Sequence, residues 1–180
     1  MMSSHKSLSE IEQAVGADPE SPALRHLLGA HYAQAGRYEE AERELYRAIS
    51  LDPRAHIARM QLGMLYLTKG DPHRAISTWL PLEALDDANA LKAFKRGLEA
   101  LIRNDFAGCT RWLNQGIAQN DANPALNQDM RQILTRVASY EKAPVPETAR
   151  VVHEPRVEVS SGNEAQNQVR TDFSLYGTRH

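Results

Sequence analysis

The sequence predicts an all-α protein, an antiparallel helix-pair solenoid in which one two-helix unit recurs along the chain. The first observation is a step of 34 residues that relates Gly29, Gly63 and Gly97. The second is the composition, in which aromatic residues make up only 6% and good helix formers are abundant. Such a mixture favours helices over sheets. The third is that each unit carries two apolar stripes at helical spacing with a turn residue between them.

Many positions beside the glycines follow the same 34-residue step, which places three units at 22–55, 56–89 and 90–123. The aligned sets are Tyr32, Tyr66 and Ala100; Gly36, Gly70 and Asn104; Ala41, Ala75 and Cys109; and Leu45, Trp79 and Leu113. The third unit departs most, and Gly116 in its second helix predicts looser packing there. So many coincidences at one spacing indicate a true internal repeat.

The first unit explains why the period gives two helices. Its two stripes are Leu28, Gly29 and Tyr32, followed by Ala41, Leu45 and Ala48. Gly36 ends the first helix, and Pro53 prevents the second from continuing. Gly29 and Ala41 leave the space for two antiparallel helices to approach closely.

The segments "LGAHYAQAGRYEEAERELYRAISLDP" and "LGMLYLTKGDPHRAISTWLPLEALDD" resemble the tetratricopeptide repeat family, over roughly residues 7 to 123. The resemblance implies a superhelix of stacked helix pairs. We expect an N-terminal half-repeat helix within 1–21, a repeat domain with a capping helix over 22–141, and a flexible, disordered tail over 142–180. The tail contains prolines and mixed charge with no helical stripe, so it buries too little apolar surface to offset the entropy of ordering.

Three local signals refine this plan. Ser7 and Glu10 have the spacing of a capping box, which predicts a helix start. Pro81 lies inside the second helix of the second unit and predicts a kink or an early end. A further stripe, expected to form the cap on the last repeat, comprises Leu126, Met130, Ile133, Leu134 and Val137.

The bulk properties exclude several classes of function. The net charge of −2 gives no electrostatic reason to expect a nucleic-acid partner. No apolar run is long enough for a membrane span, and the N-terminal sequence does not resemble a signal peptide. The single cysteine, Cys109, fits a reducing compartment. We therefore expect a cytoplasmic protein, and the composition looks bacterial.

The pattern does not predict an enzyme, a cofactor or a metal site. His26 and His31 are five residues apart, off one helical face, and neither has a partner at zinc-ligand spacing. His5, His153 and His180 lie in segments expected to be flexible. Cys109 stands where its repeat has a small residue, which indicates core packing rather than reactivity. No phosphate-binding loop or nucleophile motif is found.

The resemblance implies that the first helices of the units line a concave groove that binds a protein partner. The positions it assigns to this groove are His26, Ala30, Gln34, Ile57, Met60, Met64, Leu67, Leu91, Phe94, Leu98 and Leu101. Most are apolar, which argues against the family's carboxylate clamp, because Lys95 and Arg96 lie one or two positions away from the groove. An apolar, methionine-containing groove suits an apolar or amphipathic partner segment.

Two alternatives remain open at the level of sequence. The apolar face binds a partner, or it is core, covered by other parts of the chain or by a second copy in a homodimer. The first hypothesis for function is an adaptor or scaffold without catalysis. The others are a bacterial secretion-type holding chaperone and a regulatory component of an envelope or polysaccharide assembly.

Overall fold

A computed structural model describes residues 7–142, and in this part of the chain the regular elements are all helical. The helices are α1 (Leu8–Ala17), α2 (Pro22–Gln34), α3 (Tyr38–Leu51), α4 (His56–Thr68), α5 (Pro72–Trp79), α6 (Ala90–Ile102), α7 (Phe106–Gln119) and α8 (Pro124–Lys142). A 3₁₀ segment, Leu80–Ala84, follows α5. The predicted tail over 142–180 falls almost wholly outside the described residues.

The helices pack in sequential pairs, as the 34-residue period predicts. Each of the three units contributes one pair, namely α2 with α3, α4 with α5, and α6 with α7. Helix α1 packs on α2 and helix α8 packs on α7, so a further helix lies at each end of the array. The first helices also contact one another, α2 with α4 and α4 with α6. The all-α helix-pair solenoid expected from the sequence is confirmed for the described residues.

The turns between paired helices require a left-handed backbone, and the sequence supplies residues that adopt it. Gly36 has φ +73° and Gly70 has φ +78°, at equivalent positions of the first two units. The third unit has Asn104 at this position, with φ +59°. Asparagine tolerates this conformation better than most residues with a side chain, so the turn is kept without glycine.

The two helices of each pair approach closely at the second set of aligned glycines, Gly29, Gly63 and Gly97. A Cβ added to Gly29 would lie 2.8 Å from Leu45 Cγ, and one added to Gly97 would lie 2.5 Å from Leu113 Cδ2. At Gly63 the added Cβ would lie 2.1 Å from Trp79 Nε1. The indole is held in place there, because Nε1 donates a hydrogen bond to the carbonyl of Met60 at 3.0 Å.

Two local predictions are confirmed, and a third is wrong. The Ser7 hydroxyl accepts from the Glu10 amide while the Glu10 carboxylate accepts from the Ser7 amide, which completes the capping box. Helix α5 ends at Trp79 and gives way to the 3₁₀ segment around Pro81. The looser packing expected at Gly116 is absent, because the ring of Phe94 fills the space where its side chain would be.

Helix α8 covers the end of the array. Four of its predicted stripe residues are buried, namely Leu126, Met130, Ile133 and Val137, and Leu134 packs partly buried beside them. An amide pair joins it to the end of α7: Asn120 Nδ2 donates to Asn127 Oδ1 at 2.8 Å, and Asn127 Nδ2 donates to the Asn120 carbonyl at 2.8 Å. Because both amides are buried, each satisfies polar groups that water does not reach.

Candidate functional site

The predicted groove is largely closed. Six of its eleven residues are buried with at most 7% of their surface exposed: Met60, Met64, Leu67, Phe94, Leu98 and Leu101. Of the two alternatives that the sequence leaves open, an open groove or a covered core, the burial of these six side chains fits the core. They pack into the core where the first helices meet one another and their own second helices, as at the contact of Phe94 with Gly116.

The other five predicted residues keep some exposure. They are His26, Ala30 and Gln34 on α2, Ile57 on α4 and Leu91 on α6. Since α2 packs on α4 and α4 on α6, these positions lie on three neighbouring helices. What is accessible here is a mixed strip with polar and apolar members, in place of the apolar groove that the sequence predicts.

A polar contact connects the first two helices of this strip. His26 Nε2 lies 2.7 Å from Gln61 Oε1. Burial lowers the pKa of His26, and the hydrogen bond with Gln61 only partly opposes that effect. A neutral imidazole that donates to the amide oxygen fits both observations.

The basic residues near the predicted groove are bound within the protein. Lys95 Nζ lies 2.8 Å from Glu83 Oε2, and Arg96 Nη2 lies 2.7 Å from Glu83 Oε1. These two partners lower the pKa of Glu83 to about 2. Lys95 also contacts Glu99 at 3.0 Å and is itself only 5% exposed. The cluster fastens the 3₁₀ segment to α6, so Lys95 and Arg96 already have carboxylate partners.

A pocket that the sequence did not reveal opens between α3 and α5. Its volume is about 270 Å³. It is lined by Tyr46, Ile49, Arg59, Leu62, Tyr66, Arg74, Ser77 and Thr78. None of these residues belongs to the predicted groove. The repeat alignment contains the signal that locates it, because Thr78 stands one period after Glu44.

The rim of this pocket carries an ion-pair cluster. Arg74 Nη2 lies 2.7 Å from Glu42 Oε1 and 2.8 Å from the Tyr66 hydroxyl, with the guanidinium 4.0 Å from the centre of the Tyr66 ring. Lys69 Nζ pairs with the same carboxylate at 2.6 Å. Burial raises the pKa of Tyr66 to about 12, and the Glu42 charge adds to the effect.

The chemistry of the remaining candidates is consistent with packing roles. Burial raises the pKa of the Cys109 thiol to about 12, with a smaller contribution from Asp105, so the thiolate form is strongly disfavoured. Within residues 7–142, no group of three or more potential ligands is placed to hold a metal ion. In the same range, no helix is long and apolar enough to cross a membrane. His5, His153 and His180 lie outside the described residues.

Comparison with known proteins agrees with the repeat geometry. The tetratricopeptide repeat family model matches residues 7–61, which span α1, the first helix pair and the start of α4. Over these residues the chain is similar to tetratricopeptide repeats. The TPR repeat-containing thioredoxin TTL4 of Arabidopsis thaliana is 36% identical over 70 residues, which are 39% of this chain and 10% of that protein. The chain thus spans about a tenth of the length of this curated relative.

A solved structure resembles the larger part of the chain. The crystal structure of MamA superposes with a TM-score of 0.51 at 18% sequence identity, covering 62% of this chain and 66% of that chain. A likeness at this level of identity shows the fold. Tetratricopeptide repeats are interaction modules in general, and the described residues of this chain share their architecture.

Proposed function

We propose that the chain is a non-catalytic adaptor whose repeats bind a segment of a partner protein along α2, α4 and α6. The observation that supports this proposal is the strip of partly exposed residues across three adjacent first helices: His26, Ala30, Gln34, Ile57 and Leu91. Ile57 and Leu91 offer apolar contact, while His26 and Gln34 offer hydrogen bonds. An amphipathic segment has both kinds of group to match.

The burial of the methionines supports the adaptor over the holding chaperone. A holding chaperone needs an extended exposed apolar surface for an aggregation-prone client. Met60 and Met64 would be the adaptable part of such a surface, and both are fully buried. The structure favours the adaptor for this reason. No observation on the described residues favours a role in envelope or polysaccharide assembly. The cytoplasmic location and homodimer formation stay predictions.

The experiment that tests the proposal is affinity capture with three full-length baits. These are the unchanged chain, the double variant Ile57→Glu with Leu91→Glu, and the control Tyr46→Glu. Tyr46 is 64% exposed and lies away from the strip, on the wall of the α3–α5 pocket. The expected result is a partner retained by the first and third baits and lost by the second, with unchanged helicity in all three.

Two outcomes contradict the proposal. A partner that the double variant still holds binds elsewhere on the chain. A partner lost only with Tyr46→Glu would locate binding on the second helices instead of the first. Variants at Met64 or Phe94 are unsuitable for this test, since a buried charge there destabilises the fold itself.

A further inference from the structure

The pocket between α3 and α5 is lined by both apolar and polar side chains. Leu62 and Tyr66 on α4 are buried lining residues, and Tyr46 and Ile49 on α3 line it as well. Its polar lining residues include Arg59 and Thr78. A pocket of this kind takes a ligand that combines an apolar group with a polar one.

Arg59 is a partly buried cation with no carboxylate partner among the described residues. Its Nη2 donates to the Pro53 carbonyl at 3.1 Å, and its Nε is buried with no hydrogen-bond acceptor in the same part of the chain. No ion pair to Arg59 exists within residues 7–142. Burial lowers its pKa, and no acidic neighbour opposes the effect. A partly buried guanidinium whose Nε lacks an acceptor among the described residues gains a charge-assisted hydrogen bond from a carboxylate, so the site favours one.

The first unit shows what is missing. Arg25 stands 34 residues before Arg59, and its Nε donates to the Pro19 carbonyl at 2.9 Å, whereas Arg59 reaches the equivalent Pro53 carbonyl through Nη2. Arg25 also pairs with Glu44 at 2.7 Å. One period after Glu44 the chain has Thr78, whose short side chain carries no charge. The second unit therefore repeats the cation and its backbone acceptor but has lost the carboxylate, and the pocket opens beside the vacated position.

Arg74 does not change this conclusion, although it also lines the pocket. It is already paired with Glu42 and hydrogen-bonded to the Tyr66 hydroxyl. Glu42 is shared between Arg74 and Lys69, and no ion pair joins it to Arg59 in the described part of the chain. The ligand expected here therefore combines one carboxylate with an aromatic or aliphatic group that packs against Tyr46 and Ile49.

We propose that the carboxylate of Asp172, with Phe173 beside it, occupies this pocket and pairs with Arg59. Residues 143–180 lie outside the described residues, and among their acidic residues Asp172 alone adjoins an aromatic residue. The remaining acidic residues of this segment are Glu147, Glu154, Glu158 and Glu164. The Asp172–Phe173 step thus supplies both groups that the pocket lacks, a carboxylate and an aromatic ring.

Tethering favours this segment over a free one. A pocket of about 270 Å³ buries only one or two side chains, which gives weak binding from free solution. A random-coil chain of the length of 143–171 has an r.m.s. span of roughly 30 Å. A tether of that span holds Asp172 at an effective concentration on the order of millimolar. A contact too weak to hold a separate molecule is then substantially occupied. The inference concerns a different surface from the α2, α4 and α6 strip, so it stands or falls independently of the proposed function.

The test observes the Nε–Hε resonance of Arg59 by NMR in the full-length chain labelled with ¹⁵N-arginine. The variant Arg59→Lys identifies the resonance by its loss. Asp172→Asn is expected to shift it, because the charged acceptor is removed. Phe173→Ala should shift it in the same direction. Glu164→Gln is the matched control from the same segment and should leave it unchanged.

Substitution at Thr78 makes the test specific for the pocket. Thr78→Glu rebuilds the carboxylate of the first unit, so it should move the Arg59 resonance and displace Asp172. In that background Asp172→Asn should have no further effect. Thr78→Gln has the same size without the charge and should preserve the response to Asp172→Asn.

Three results would overturn the proposal. An Arg59 resonance that does not shift in Asp172→Asn or Phe173→Ala means that this segment does not occupy the pocket, and an acidic segment of another protein is then the candidate ligand. A response to Asp172→Asn that persists in Thr78→Glu means that the segment binds elsewhere. Recovery of the wild-type signal when unlabelled wild-type chain is mixed with labelled Asp172→Asn chain means that a second copy supplies the carboxylate.

Discussion

The first and second repeats share their helix pairing and their aligned positions but fill the space between their helices differently. In the first, Leu45 packs over Gly29, and Arg25 is paired with Glu44. In the second, the larger Trp79 packs over Gly63 and anchors its nitrogen on a backbone carbonyl of α4. The second repeat also loses regular helix at Pro81. The common period thus sets where the helices lie, and the individual residues determine how strongly the stability of each helix pair depends on a given contact.

The largest difference is expected at the two glycines. Gly63→Ala should destabilise the fold by about 3 kcal/mol, because the new Cβ meets a rigid indole that cannot move without breaking its hydrogen bond. Gly29→Ala should cost only about 1 kcal/mol, since the end of Leu45 can adjust and alanine favours a helix. Urea denaturation followed by circular dichroism measures both. Equal losses would show that Trp79 is no more rigid than Leu45.

A second substitution replaces Trp79, which packs over Gly63, with leucine, the residue that packs over Gly29 in the first repeat. Trp79→Leu should cost about 2 kcal/mol, since it leaves a cavity over Gly63 and removes the hydrogen bond to the Met60 carbonyl. In this background Gly63→Ala should cost less than it does alone. The double-mutant cycle tests that coupling. Strict additivity would mean that the clash is with something other than the indole.

The reverse change makes the first repeat resemble the second. Glu44→Thr leaves Arg25 without its carboxylate and should cost about 1 kcal/mol, because both side chains are largely shielded from solvent. Glu20→Gln is the control, since Glu20 pairs with Arg47 at an exposed site where about 0.5 kcal/mol or less is expected. If both variants melt alike, the Arg25–Glu44 pair contributes no more than a surface pair does.

The smallest effect is expected for the ion pairs of Glu83 with Lys95 and Arg96, which join the 3₁₀ segment to α6. The first repeat has no such 3₁₀ segment. Lys95 and Arg96 lower the pKa of Glu83 to about 2, from 4.5 in the unfolded chain. The stabilisation by this carboxylate is therefore present above pH 4.5 and is lost as the pH falls towards 2. Glu83→Gln should cost less than about 1 kcal/mol at pH 7, because the side chain is nearly half exposed.

Unfolding free energies of wild type and Glu83→Gln, measured at pH 7, 4 and 2.5, test this prediction. The difference between the two chains should shrink as the pH falls through this range. A difference that stays constant with pH would show that the glutamate acts by packing and not through its charge.

The helix pairs, the capping box at Ser7 and the break at Pro81 were predictable, because each depends on residues close in sequence. Whether the groove is open or covered was not predictable in this way. Met64 and Phe94 have the spacing of exposed first-helix positions, yet both are buried. Whether such a face is covered depends on how closely successive units stack, which is a non-local property. The pocket at Arg59 was not predictable from the repeat pattern, because that pattern rests on positions that are alike between units, whereas the pocket depends on a position that differs, Thr78.

Because Cys109 is buried, its reaction with a thiol reagent measures how often the structure around it opens. It is the chain's single cysteine, it lies fully buried in α7, and its thiol has a pKa of about 12. A thiol reagent therefore reacts at a rate limited by how often the third repeat exposes this residue. The labelling rate then reports the transient opening of α7 without any change to the sequence. Any partner that clamps the third repeat would reveal itself by slowing that reaction.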